Sequence, residues 1–360
     1  MDQNQTKVLN GYHVVFLVQL VMSGNILLTL PNLLSPVGYS QWWFPLMFGV
    51  IANLLLIPMI WIALKYSHHN LFMIHELLLG KWLGKSLNGF LIIYAALTLA
   101  SVIEGYLDLI QIIALPDRSI IGPLIIFMLL LVYIVSGGIK SIARFCIMSF
   151  FLVVWILFFL KWAIGEGDIK HILPLFNFTK QEFFTATKSG FIAMTGFEII
   201  LFYFPYIIRQ KKAFKQASLG IWITVSIYLM TVFVSVMYYS EWQLENVMYP
   251  VLYLLNAVSL PFLERVDVLA ISLWVFLILT TAAAFLWVAK KGLDSIRAKV
   301  KKSHLYIIAI IVFIIISIPL PKEFQNRVYE GVYYINYGFM IWPAILCIIH
   351  FLKTRKEVVT

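Results

Sequence analysis

Val21-Met22-Ser23-Gly24-Asn25-Ile26, followed by Leu30-Pro31, lies within an otherwise apolar run over residues 11–34. The run is long enough to cross a bilayer, since about 30 Å of hydrocarbon takes roughly 20 helical residues. Gly and Asn are poor helix formers, and Pro removes a backbone donor. A helix unwound at membrane depth frees N–H and C=O groups that lipid cannot satisfy, so a break persists where it lines a cavity or holds a ligand. The first half-helix would end on exposed carbonyls near Val21 and Met22. The second would begin with free amides near Asn25 and Ile26, at the positive end of its dipole. An α-amino acid suits both ends, carboxylate on the amides and ammonium on the carbonyls.

A second stretch has the same character. Met194-Thr195-Gly196-Phe197-Glu198, then Pro205, interrupts the apolar run 185–208. Either glycine alone reads equally well as a packing glycine that lets helices approach closely. Their joint placement, each at the first helix of one half of the chain, favours breaks.

Outward from these two stretches the chain stays apolar. Of its 360 residues 62% are hydrophobic and only 12% charged, against about a quarter charged in a soluble domain. Ten segments are expected to be transmembrane helices: 11–34, 42–64, 87–114, 120–136, 142–164, 185–208, 217–239, 266–288, 305–320 and 332–352. Their continuous apolar character excludes the alternation of a membrane barrel. The first run has no small-residue cleavage site after it and reads as a retained span. The outer connection 241–264 contains an apolar stretch, 247–260, read as a short helix on the membrane surface. Most Lys and Arg then fall on the side that holds both termini, which places the termini in the cytoplasm. Five spans per half give the halves, 11–164 and 185–352, opposite orientation, with 353–360 as a cytoplasmic tail. The expected fold is therefore a single all-α integral membrane domain with a 5+5 inverted repeat and discontinuous helices 1 and 6.

Ionisable groups at membrane depth are costly and mark function by default. Glu198, beside the second break, either lines a pocket, where it meets a ligand ammonium or titrates, or caps the freed amides. Glu104 and Asp108 are four apart and share a helix face. With Arg265 and Asp267 they form a possible charge network, Arg265 pairing with Glu264, Glu104 or Asp108. His68, His69 and His75 fall in a loop and read as ordinary loop residues rather than a metal site. Cys146 and Cys347 read as small buried hydrophobes. The net charge of +10 sits in short loops and does not call for nucleic acid. No Walker A, His-Glu-x-x-His or Gly-x-Ser-x-Gly sequence is present, so nothing points to an enzyme, an ATP-driven pump, a cofactor or a metal.

Several short pieces, in this order, resemble the B subunit of the nutrient germinant receptors of spore-forming bacteria. They are Gln19, Gly24 and Leu30-Pro31; Leu173-Pro174 with Phe176-Asn177; Gly196-x-Glu198 with Pro205; and Glu264-Arg265-x-Asp267 before Trp274. The resemblance covers almost the whole chain. It implies the LeuT-like fold of the amino acid–polyamine–organocation transporter superfamily and a place in the spore inner membrane. It also implies action with a larger A subunit and a lipoprotein C subunit, sensing a small nutrient such as an amino acid or sugar. The pocket positions it implies are Gly24, Asn25, Ile26, Thr195, Gly196, Phe197 and Glu198. Ile26 departs from the family, which often has a small residue there; that bears on ligand identity more than on fold. The competing readings are a proton- or sodium-coupled amino acid transporter and a purely structural scaffold.

Overall fold

Helix is the one regular structure that satisfies every backbone group within a single apolar segment. A computed structural model describes residues 7–24, 26–114, 119–261, 265–318 and 320–359. Asn25 and Glu264 lie outside the described residues. In chain order the helices are α1 (Gly11–Met22), α2 (Ile26–Leu33), α3 (Phe44–Lys65), α4 (Leu71–Leu79), α5 (Lys81–Ile113), α6 (Ile121–Ser136), α7 (Gly138–Val153), α8 (Leu160–Glu166), α9 (Lys180–Gly190), α10 (Ile200–Tyr203), α11 (Ala213–Tyr238), α12 (Glu241–Asn246), α13 (Pro250–Tyr253), α14 (Val266–Ile296), α15 (Ser303–Ser317) and α16 (Lys322–Val359). Short 3-10 stretches extend several of them, among them Ser35–Trp43 before α3, Val154–Phe159 between α7 and α8, and Phe191–Met194 after α9. Among the described residues there is no strand, only one parallel bridge between Leu9 and Ile207.

Among the described residues, six helical stretches are long and apolar enough to cross a membrane: Ser35–Lys65, Lys81–Ile113, Gly138–Glu166, Gln210–Tyr238, Val266–Ile296 and Lys322–Arg355. Two bent pairs raise the number to eight. Gly11–Met22 and Ile26–Leu33 meet at 55°, and Lys180–Met194 and Phe197–Tyr206 meet at 44°. Both expected interruptions are therefore present. Helices α6 and α15 are apolar but shorter, at 16 and 15 residues. The protein is a multi-pass, all-helical membrane protein.

Several ends differ from the sequence expectation. Helix α5 starts at Lys81 rather than at residue 87, α14 runs on to Ile296, and α16 starts at Lys322 rather than at 332. The hydrocarbon test stops where charge begins, but a helix does not. Lys side chains extend their apolar stems along it and keep the ammonium in the headgroup region. Upstream of the second break, α9 begins at Lys180 because Thr179 and Glu182 form a capping box there. The stretch 241–261 is short helical turns, α12, α13 and Leu254–Ala257, rather than one helix, and Val251, Leu252, Leu254 and Leu255 are buried against the bundle.

Of the six long stretches the most buried is α14, which packs along α5 and also touches α1, α6, α7 and α15. Its buried run Thr280-Thr281-Ala282-Ala283-Ala284 explains why: small side chains let neighbouring backbones come close. On its other sides α1 packs against α7 and α11, so the first broken pair lies in the middle of the bundle. The two broken pairs are joined by main chain at their far ends. Val8 N–H and Leu9 N–H donate to Tyr206 O, and Ile208 N–H donates to Leu9 O.

One polar knot ties three elements at the end of the bundle beside α4. Trp342 Nε1 donates to His75 Nε2 at 2.9 Å, so His75 carries its proton on Nδ1 and donates to Asn88 Oδ1 at 2.9 Å. Asn88 Nδ2 in turn donates to Phe72 O. Burial pushes the His75 imidazole down to about 4 from its ordinary 6.5. The folded chain then holds His75 neutral while the unfolded chain takes up a proton below pH 6.5. Stability is full above that pH and falls as pH drops toward 4. Between pH 6.5 and 5.5 the expected loss from this group is about 1 kcal/mol. Thermal unfolding in detergent at the two pH values, for wild type and His75→Gln, checks it: the substituted protein should show a smaller pH difference by that amount.

Candidate functional site

Unwinding α1 after Met22 leaves carbonyls that need donors, and the neighbouring helices supply them. Thr281 Oγ1 on α14 lies 3.2 Å from Val21 O and 3.3 Å from Leu20 O. Tyr228 Oη on α11 lies 2.7 Å from Met22 O and 3.0 Å from Ala193 O. One hydroxyl thus joins the last turn of the first half-helix to the last turn before the second break. The expectation of exposed carbonyls at Val21 and Met22 is corrected here: hydroxyls from α11 and α14 already occupy them.

At the second break Gly196 adopts φ +121°, and its N–H donates to Glu198 Oε2 at 2.7 Å. The carboxyl folds back two residues to cap a freed amide, one of the two roles its position allowed. Glu198 is fully buried and its Oε1 has no partner among the described residues. Gly196 presses on the first helix, where an added Cβ would meet Val21 C at 2.9 Å. At Gly24 the same atom would meet Thr281 Oγ1 at an ordinary 3.6 Å. Of the two glycines, only Gly196 is required by backbone geometry.

Between the breaks, α5, α14 and α16 enclose a cavity of about 400 Å³. Small-molecule sites commonly span about 300–1,000 Å³. Gly24, Ile26 and Thr195 line it, and so do Glu104 and Asp108. Gly196, Phe197 and Glu198 are not on its wall, and Phe197 and Glu198 are buried completely. Sequence reasoning missed Tyr94 and Thr98 on α5, Thr281 and Phe285 on α14, and Tyr329, Tyr333 and Asn336 on α16. The last three recur at i, i+4 and i+7, a polar stripe within an apolar helix, which was the available signal.

Asn336 is the centre of this wall. It is 2% exposed, accepts from Tyr94 Oη at 2.8 Å and donates through Nδ2 to Thr195 Oγ1. It therefore holds α5, α16 and the second break together. Toward one end the cavity becomes charged. Tyr329 Oη donates to Glu104, and Lys322 pairs with Asp108 at 2.7 Å. Glu104 and Asp108 do share one face of α5, as their spacing implied. Arg265 does not join them: it pairs at 2.7 Å with Asp267, two residues along, because both sit in the turn that starts α14. The expected pairing of Arg265 across the bundle is corrected accordingly.

The described geometry is that of a membrane-embedded chamber with an uncharged polar middle and a charged end. Comparison with known proteins gives it a family. Residues 8–325 match the family model described as "Spore germination protein". "Spore germination protein A2" of Bacillus subtilis (strain 168) is 26% identical, with 99% of each chain covered. "Spore germination protein B2" of the same strain is 24% identical with 95% of each chain covered, and "Spore germination protein GerQB" of Bacillus cereus is 26% identical with 84% of each covered. With the match running over most of its length, from before the first broken helix into the start of α16, the chain belongs to the spore germination protein family.

Proposed function

We propose that the chain is the B-type subunit of a nutrient germinant receptor, and that the chamber between the two breaks binds a small nutrient such as an amino acid or a sugar. In this reading it sits in the spore inner membrane with both termini cytoplasmic and acts with an A-type and a C-type subunit. Counting each bent pair as one span and adding α6 and α15 makes ten spans, five before and five after the connection between α8 and α9. That count supports the 5+5 inverted repeat, 11–164 and 185–352 in a single domain, in which the broken helices carry the site. The observation that carries the reading is the 400 Å³ chamber lined by both breaks and by hydrogen-bonding groups from three further helices. A ligand bound there with different affinity in two arrangements of the bundle shifts the population between them and passes a signal to its partners.

The test is germination of spores whose receptors are replaced by this chain with its A- and C-type partners. A panel of amino acids and sugars identifies the trigger. The dose-response is then repeated with Thr195→Val and Asn336→Leu. Loss of one or two ligand hydrogen bonds predicts a midpoint raised about tenfold or more at unchanged protein level. Unchanged midpoints in both variants would remove the chamber from nutrient sensing.

A carrier is the second reading, and the buried carboxyl of Glu198 is the observation that favours it. Its bond to Gly196 N–H favours capping instead, and a glutamine carbonyl accepts the same bond. Glu198→Gln should therefore keep the nutrient response across pH. Labelled substrate accumulating in liposomes that hold this chain alone, driven by a proton gradient and abolished in Glu198→Gln, would decide for the carrier.

A further inference from the structure

Helix α16 begins well ahead of its apolar stretch, at Lys322 rather than near Val332. The extension, Lys322-Glu323-Phe324-Gln325-Asn326-Arg327-Val328-Tyr329-Glu330, carries charges that hydrocarbon would not accept. None of its side chains is buried, and none of its apolar ones packs on the core. From Val332 onward the same helix is anchored. Val332, Asn336, Phe339 and Met340 are buried, and Trp342 and Lys353 bond to α4. The unburied extension nevertheless covers the chamber: Lys322, Gln325, Asn326 and Tyr329 line it and, at i, i+3, i+4 and i+7, form one face of the helix.

What holds that face down is polar and, among the described residues, reaches α5. Lys322 pairs with Asp108, and Tyr329 and Gln325 bond the Glu104 carboxyl. The Lys322 side chain is 69% exposed and that of Asp108 30%, and an ion pair so placed contributes little. A segment with no buried apolar surface and a few polar ties opens far more readily than the packed bundle beneath it. Gly331 stands where the loose part meets the anchored part. An added Cβ there meets nothing within 4 Å, so no neighbour braces the backbone, and glycine weakens the helix at that point. We propose that residues 322–330 are a hinged lid on the chamber. The lid swings away from α5 at Gly331 as the Asp108–Lys322 and Glu104–Tyr329 ties break, and the nutrient enters beneath it. The entry route rests on the nutrient reading of the chamber; the motion of the lid does not.

Thiol modification of the full chain in lipid nanodiscs tests this. Ser101 is half-buried, lines the chamber and lies one turn before Glu104 on α5, so Ser101→Cys places a reactive group under the lid. Cys347→Ser removes the half-buried native thiol, and Cys146 is fully buried. N-ethylmaleimide is uncharged, so its rate reports access rather than local charge. Lys322→Gln with Tyr329→Phe, which removes the ties, should speed modification about tenfold. Lys322→Gln alone, at an exposed position, should speed it about threefold and serves if the double variant does not fold. Gly331→Ala, which stiffens the hinge, should slow it about threefold. Ser119→Cys, exposed just before α6, should react at one rate in every background. Equal rates at Ser101→Cys with and without the ties, or the same acceleration at Ser119→Cys, would overturn the lid. An unchanged rate in Gly331→Ala would overturn the hinge. The measurement uses no nutrient, so a lid that fails here and a chamber that fails in the germination dose-response are told apart.

Discussion

Gly196→Ala is expected to destabilise the protein by about 3–5 kcal/mol, through strain and overpacking together. The φ of +121° is one that side-chain-bearing residues rarely adopt, and the new methyl would lie 2.9 Å from Val21 C and 3.0 Å from Val21 O. Those contacts are backbone, held in place by hydrogen bonds to Thr281, so they cannot yield as a flexible side chain would. Relief requires the second break to move away from the first, which opens the chamber wall at Thr195. Two controls separate this from a general intolerance of glycine loss. Gly24→Ala should be mild, since its methyl meets only Thr281 at ordinary distance. Gly331→Ala, on α16 with open space around it, should be neutral or slightly stabilising. Thermal unfolding of the three variants in detergent gives the comparison, and equal midpoints for Gly196→Ala and Gly331→Ala would contradict the geometry.

Tyr228→Phe is expected to lower stability by about 2–4 kcal/mol, since it leaves two buried carbonyls without their donor. Met22 O and Ala193 O share this one hydroxyl because each terminates a helix whose next turn is missing. Removing one oxygen atom changes the packing little, so the loss reports the hydrogen bonds. Tyr133→Phe, on an exposed position of α6, should be neutral in the same unfolding measurement. A loss as small in Tyr228→Phe as in Tyr133→Phe would mean that another donor, such as water, serves the break.

How much of this was readable in the chain depends on the distance over which each property is decided. The apolar runs and both interruptions are local, marked in the sequence by Gly24 and Gly196 among strong membrane-helix formers, and they emerge at the expected positions, although only Gly196 is required by its backbone geometry. Helix ends were less legible, because Lys81, Lys290 and Lys322 end the hydrocarbon without ending the helix. The acidic pair Glu104 and Asp108 lies on one face as i, i+4 spacing requires, but its partners, Tyr329 and Lys322, come from more than 200 positions away. Arg265 erred in the other direction: a partner two residues along was closer than any across the bundle. Glu198 was flagged by the cost of a mid-span carboxyl and by its place beside the second break, which together mark a buried group without saying whether it meets a ligand or its own backbone. Asn336 and Tyr228 were missed because their roles depend on which face each helix presents to its neighbours, and a uniformly apolar helix does not record that.

The main-chain bridge between Leu9 and Ile207 yokes the two broken segments at the membrane face where the chain begins. Tilting one segment alone would break the three peptide hydrogen bonds that join them, at a cost of about 1 kcal/mol each. With Tyr228 bridging Met22 O and Ala193 O near the breaks, the two segments are tied to each other at both levels, and a displacement of one is expected to carry the other with it.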